Sequence, residues 1–427
     1  MKTIIHWAVG MWVVAVWLGT SGGALAAEPK AAPVPEVPPP TSPVAPDPAL
    51  PKEFAFTLSG KYAEFDEFSQ DPAVFENLLV NMKQAGFNCI YCVYRDWRVE
   101  LCRKHGVRMM VDVLAWKEGA ETDIRRNAEQ RAKVQAICEK SRGDDAIWGY
   151  NLWNEKLAWF GNPDGRGIDD YIHMLKEWDP THPVWVGTYQ VSSANAPQQQ
   201  PGVHAYYDYA WQRGFMWHFA DLKWYRNWAT SQHGVIGQWE QGSDYNRNSY
   251  KLNTSIPFGL KTIIWFIGGP FDAKGDIDPK QRFFHLVRIG REMHLLYPEL
   301  GLLGMPADVF STPTTKWQDN KDKPADVPWG LAPFPADYWM QVSGGEAVIG
   351  FFTYPTGEDA VYVANHNAFA SQPMTLMLHG DKTKKCTIEL FNRESGKWDM
   401  LQAMDGAYPF PLRAAGGELL RVRGRDK

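Results

Sequence analysis

Cysteine is scarce in this 427-residue chain: five residues, an odd number, at Cys89, Cys92, Cys102, Cys138 and Cys386. That count and spacing exclude a small disulfide-stapled fold. Cys89 and Cys92 have the spacing of a metal or redox pair, but they lie inside an apolar strand-like run, Asn88 to Val93. Strand geometry turns their side chains differently and no second Cys or His pair follows, so buried thiols are expected. His-x-His, His-Glu-x-x-His, a phosphate-cradling glycine loop and Gly-x-Ser-x-Gly are all missing, and the 11 His are scattered. No metal and no cofactor is therefore expected. No basic block occurs either: formal net charge is −5 with both signs mixed along the chain, which argues against a nucleic-acid partner and against a membrane-surface stretch.

A long apolar run occurs only at the start. Lys2 precedes a mainly apolar Ile4 to Leu18, Gly19-Thr20-Ser21-Gly22-Gly23 interrupts it, and Ala24-Leu25-Ala26 is a small-x-small cleavage site. A membrane anchor would need about 20 apolar residues, so residues 1–26 are expected to be a signal peptide that directs export to the periplasm, cell surface or medium. No Cys stands at the cleavage site, so neither lipid attachment nor stable membrane insertion after cleavage is indicated. An exported chain does leave room for one disulfide. Residues 27–52, rich in Pro, Ala and Val with Pro38-Pro39-Pro40 at the centre, favour extended conformers and are expected to be a linker.

What is plentiful is aromatic: 20 Trp and 17 Tyr. Such side chains stack on the C–H faces of sugars, and equally they fill large cores. The body alternates strand and helix patterns. Strands are expected at Phe54 to Ser59, Asn88 to Val93, Arg108 to Leu114, Ile147 to Glu155, Val184 to Tyr189, Gly202 to Tyr207, Val235 to Glu240 and Thr262 to Ile267. Helices are expected between them, the first beginning at Asp71-Pro72 and ending at Gly86, the third running from Glu121 to Arg142, the seventh from Tyr250 to Gly259. The weakest unit is the fifth helix, because Gln190 to Gln200 is polar and irregular. The fold class expected is α/β: a (β/α)8 TIM barrel over residues 53–300, close to the usual length of about 250. Beyond Pro298 the periodicity shortens. Strand-like runs at Glu346 to Tyr354, Asp359 to Asn365, Met374 to Leu378, Cys386 to Asn392 and Glu418 to Val422 imply a small antiparallel sheet domain within residues 301–427.

In such a barrel chemistry is built at the carboxyl ends of the strands. Glu155 ends the fourth and Glu240 the seventh. Two carboxyls about 5–5.5 Å apart suit a retaining double displacement at a glycosidic bond. Glu155 is then the acid/base, its pKa raised by burial and by its partner, and Glu240 the nucleophile. Singly, either Glu is as well explained by a structural ion pair. Strand alternation would place Trp153 in the barrel's inner layer, send Trp239 to the helix shell, and let Asn154 reach a sugar only where the strand bulges.

The run Gly149-Tyr150-Asn151-Leu152-Trp153-Asn154-Glu155, followed by Glu240, resembles clan A of the glycoside hydrolases. Asp179-Pro180-Thr181-His182-Pro183-Val184 also resembles the turn into strand five of several of its families, where Arg often replaces His182. The resemblance covers roughly Phe54 to Pro298, and the tail, with Gly417-Glu418-Leu419-Leu420 near its end, resembles the small antiparallel β-sandwich that commonly follows such barrels. It implies a (β/α)8 barrel, hydrolysis of an O-glycosidic bond in an oligo- or polysaccharide, a carbohydrate partner, and roles for further residues. Asn154 would bond the sugar 2-hydroxyl. In His204-Ala205-Tyr206 the Tyr206 hydroxyl would bond the nucleophile and His204 the donor or the sugar, with Tyr207 a rival. Trp265 would floor the subsite of the cleaved sugar, or be a core Trp. Arg95 would orient the nucleophile, or be an exposed loop arginine. Trp116, with Lys117-Glu118 beside it, and Trp159 are candidate subsite walls. Two alternatives share these residues: a barrel that binds carbohydrate without turnover, and a transglycosylase.

Overall fold

A computed structural model describes residues 53–59, 70–113, 124–125, 127–153, 166–188, 203–207, 215–232, 235–241, 244–266, 269–313 and 331–426. Eight parallel strands close into a barrel: β1 (Ala55–Ser59), β2 (Cys89–Val93), β3 (Arg108–Asp112), β4 (Ile147–Trp153), β5 (Val184–Thr188), β6 (Val203–Tyr207), β7 (Val235–Gln241) and β8 (Leu260–Phe266). Closure is made by β8 on β1, from Ala55 opposite Thr262 to Leu58 opposite Trp265. Around it stand α1 (Pro72–Gln84), α2 (Asp96–His105), α3 (Ala128–Ser141), α4 (Arg166–Trp178), α5 (Phe215–Gln232), α6 (Tyr245–Ser255), α7 (His285–Met293) and α8 (Tyr297–Leu302). Among the described residues no helix is long and apolar enough to cross a membrane.

Local chemistry accounts for the helix ends. Asp71 caps α1 by accepting from the Ala73 N–H at 2.9 Å, Pro72 takes the first helical position, and Gly86 follows the helix at φ +83°. The third helix begins later than its charged pattern implied. Asn127 accepts from the Gln130 N–H at 3.0 Å and so sets the start at Ala128. Helix α6 begins five residues earlier than expected, because Asp244 accepts from the Arg247 N–H at 3.0 Å. Residues 190–200, where the weakest helix was expected, lie outside the described residues, as do the leader and linker.

Both faces of the barrel wall are buried. Ala55, Cys89, Tyr91, Met110, Trp148, Trp185, Trp239 and Ile264 fill the bore. Phe56, Leu58, Ile90, Cys92, Met109, Val111, Ile263 and Trp265 pack outward with the helices. Cys89 and Cys92 thus face opposite ways, and all five cysteines are buried. At the amino end of β5 the Asp179 turn is a structural knot. The Asp179 carboxylate accepts from the Tyr150 hydroxyl at 2.5 Å and the Thr181 N–H at 2.9 Å, and its Oδ2 stands 2.7 Å from His182 Nδ1. Burial opposes that charge, and the hydrogen bonds from His182, Thr181 and Tyr150 together outweigh it, holding the carboxyl well below its ordinary range.

The C-terminal region is a sandwich. Its larger sheet contains β9 (Asp308–Ser311), β10 (Ala332–Pro333), β12 (Ala347–Thr353), β13 (Asp359–Asn365), β15 (Thr387–Asn392), β16 (Lys397–Met400) and β18 (Gly417–Arg423), in the order β10-β9-β12-β13-β18-β15-β16. The smaller contains β11 (Met340–Ser343), β14 (Gln372–Leu378) and β17 (Ala407–Leu412), in the order β11-β14-β17. Val361 and Val363 of β13 point into the sandwich core, whereas Ala360, Tyr362 and Ala364 join the core shared with the barrel helices. Period-2 alternation therefore gives β13 one face in each core.

Candidate active site

The carboxyl ends of the strands carry a small polar group inside the bore. Asp112 ends β3 and is 6% exposed; its register partners are Val93 of β2 and Asn151 of β4. Asn151 Nδ2 donates to the Tyr91 hydroxyl at 2.8 Å, and Tyr91 meets Trp239 edge to face at 5.4 Å between centroids. Val93, level with Asp112, is 38% exposed, so the bore opens to solvent at this height. None of Asp112, Asn151 and Tyr91 is singled out by sequence reasoning. The signal was the alternation Arg108, Met110, Asp112, which ends an apolar strand on a carboxylate at the catalytic face.

Glu240 is not part of this group. Its side chain is 1% exposed and points between the barrel and α6, where Lys251 Nζ donates to Oε2 at 2.6 Å and Gln238 Nε2 to Oε1 at 2.6 Å. Gln238, two residues earlier on the same face, accepts from the Ser255 hydroxyl of α6 at 2.8 Å. Burial pushes the Glu240 carboxyl above its ordinary value, and Lys251 and Gln238 pull it back. Trp239, expected in the helix shell, is the residue that enters the bore. The phase of β7 is the reverse of the expected one, and the carboxylate of Glu240 forms a buried ion pair instead of facing substrate.

The same phase reversal corrects Trp265. It is fully buried on the outer face of β8, 5.5 Å from Phe56 between centroids, the core-Trp alternative. Arg95 is exposed at the start of α2, the loop-arginine alternative. His204 and Tyr206 lie in β6, His204 opposite Trp185 and Tyr206 opposite Gly187 and Gly237. Glu155, Asn154, Trp116 and Trp159 lie outside the described residues. Before them the β4–β5 register shifts between Asn151 and Trp153, so that Trp153 stands opposite Val186. Among the described residues no group of His, Cys, Asp or Glu is arranged to hold a metal ion.

No protein-family model and no curated protein sequence matches the chain. Solved structures of similar shape include the cold-adapted β-galactosidase of Rahnella sp. R3, at 9% identity and TM-score 0.49, covering 88% of this chain and 100% of that one. The α-amylase of Anoxybacillus aligns at 11% identity and TM-score 0.46, covering 87% and 98%. The catalytic domain of xylanase C from Talaromyces cellulolyticus aligns at 12% and 0.42, covering 88% and 98%. At these identities and scores each is a likeness and no more.

Proposed function

We propose that the chain is an exported glycoside hydrolase acting on an oligo- or polysaccharide, with Glu155 as the proton donor and Asp112 as the second carboxylate. One observation carries the reading. Strand β4 of a closed barrel ends at Trp153, and the carboxyl ends of such strands are where these barrels do chemistry. Asn154-Glu155 are the next residues in sequence, which supports the reading. Cleavage of a glycosidic bond needs an acid to protonate the leaving oxygen and a carboxylate to attack or to activate water. Asp112 is the carboxylate that the described bore offers. The separation of the Glu155 and Asp112 carboxyls sets whether the anomeric centre is retained or inverted. Residues 1–26 direct export in this reading, and an N-terminus just after Ala26 on the secreted protein checks it.

The test is hydrolysis of aryl glycosides and soluble polysaccharides by wild type, E155Q, D112N and E240Q. Glu155→Gln is expected to lower kcat on substrates with poor leaving groups by about 10²–10⁴, as loss of a general acid does. Glu240→Gln is expected to lower stability and leave kcat of the folded fraction within a few-fold. Wild-type turnover by E155Q overturns the assignment. The withdrawal of Glu240 into an ion pair favours one other reading, a barrel that binds carbohydrate without cleaving it. Saccharide binding by calorimetry with no product released by wild type would establish that one.

A further inference from the structure

A sheet edge of the sandwich stands open. Strand β16, Lys397–Met400, ends the seven-stranded order, and among the described residues only β15 pairs with it. Two of the other three edges carry proline, Pro333 in β10 and Pro409 and Pro411 in β17, which removes donors that a further strand would need. Strand β16 contains none. The Leu401 N–H donates to the Ile388 carbonyl at 2.8 Å, and the register runs from Glu389 opposite Met400 to Asn392 opposite Lys397. Antiparallel alternation therefore turns the backbone groups of Lys397 and Asp399 to β15, and those of Trp398 and Met400 outward.

Charge decides what can add to this edge. Charged side chains on an edge ordinarily repel a further strand. Here Lys397 and Asp399 stand two residues apart, so they share one face of β16, and both are exposed. Asp399 Oδ2 accepts from Asn392 Nδ2 at 2.8 Å, which fixes the carboxylate. Between the two charges Trp398 is pinned on the opposite face, 5.2 Å from Phe391 between centroids, with the Arg421 guanidinium 4.2 Å over its ring. A second copy of β16, laid antiparallel about a two-fold axis, must pair outward residues with outward residues. Centred on Trp398, that pairing sets Lys397 opposite Asp399 of the other copy, twice, in the close non-hydrogen-bonded positions. Centred on Asp399 or on Lys397 it sets like charges together, and centred on Met400 it opposes no charges at all. In the first register Met400, 50% exposed, lies opposite Gly396 of the other copy, where the missing side chain leaves room beside Leu295.

We propose that β16 is a self-association edge through which two copies of the chain join their larger sheets, in the register that opposes Lys397 and Asp399. The interface is independent of the carbohydrate reading. Sedimentation velocity of the full chain over a concentration series is the test, and wild type is expected to pass from monomer to dimer as concentration rises. Lys397→Glu and Asp399→Lys each turn two attractive pairs into two repulsive ones, and each is expected to weaken association by about 10-fold or more. An equimolar mixture of the two variants is expected to associate as wild type does, because each swapped charge then meets its opposite. A hairpin damaged by either substitution would not be rescued in this way. Hydrogen exchange reads the same edge: the Trp398 and Met400 amides are expected to slow as wild-type concentration rises. A wild type that stays monomeric throughout, single variants that associate as wild type does, or a mixture no better than its components overturns the proposal.

Discussion

At the scale of single residues, the decisive pair is Glu240 and Lys251, joined at 2.6 Å with side chains 1% and 7% exposed. Removing one partner of a buried ion pair strands the other charge, at a cost of about 3–5 kcal/mol. Glu240→Gln and Lys251→Met are each expected to lower the unfolding free energy by that order. The double variant should lose less than the sum, because it strands no charge. Urea unfolding of the four proteins checks this, and single variants as stable as wild type would show that the pair is absent. The pair was hard to read in sequence for a physical reason. A barrel strand is buried on both faces, so Val235 to Gln241 shows alternation without showing which phase looks inward. Polarity suggested that the carboxylate faces the open mouth. The bore instead takes the indole of Trp239 beside Trp148 and Trp185, and a lysine on the facing helix makes the outer position tolerable for Glu240.

At the scale of elements, the ring of helices closes where α7 meets the end of α1, and two glycines make that seam. Gly86 has φ +83°, a Cβ there would be driven into the Gly290 backbone, and a Cβ on Gly290 would be driven into the Ala85 carbonyl. Gly290→Ala keeps an ordinary helical conformation, so its effect isolates the steric term. It is expected to destabilise by about 1–3 kcal/mol, the range for overpacking. An unchanged urea midpoint would show that the two helices separate without cost. Elements of this kind were legible because punctuation and periodicity agree: Asp71-Pro72 and Gly86 bracket α1, and all eight barrel strands fall within two residues of their expected starts. Two other elements were not legible. Tyr245 to Ser249 shows no apolar stripe, since α6 is covered on both sides and its Asn248, Ser249 and Asn253 side chains each make hydrogen bonds there. Strand β17 contains Pro409 and Pro411, which argue against a strand interior. It is tolerated because, among the described residues, β17 pairs with β14 alone and forms a sheet edge.

At the scale of the whole molecule, barrel and sandwich share one core, and its polar part is a pair of buried histidines. His366 of the sandwich stands between Tyr250 of α6 and Phe219 of α5, 5.4 Å from the latter between centroids; His218 Nε2 lies 3.2 Å from the Thr254 hydroxyl. Burial pushes His366 down to about 4; burial, Lys251 and His366 push His218 down to about 3. Both values lie below the ordinary 6.5, so between pH 6.5 and 4 the unfolded chain binds protons that the folded one refuses. Stability therefore falls as pH falls through that window, at up to about 1.4 kcal/mol per pH unit for each histidine. His366→Gln keeps a hydrogen-bonding group beside Tyr250 and cannot titrate. Its unfolding free energy is expected to fall less steeply between pH 6.5 and 4, with a slope shallower by about the contribution of one histidine, and to match the wild-type slope above pH 7. Because Tyr362, Leu419 and the barrel helices belong to one apolar cluster, acid should unfold barrel and sandwich in a single transition. Equal pH slopes for the two proteins would remove His366 from the linkage, and two separate acid transitions would show that the shared core does not couple the halves.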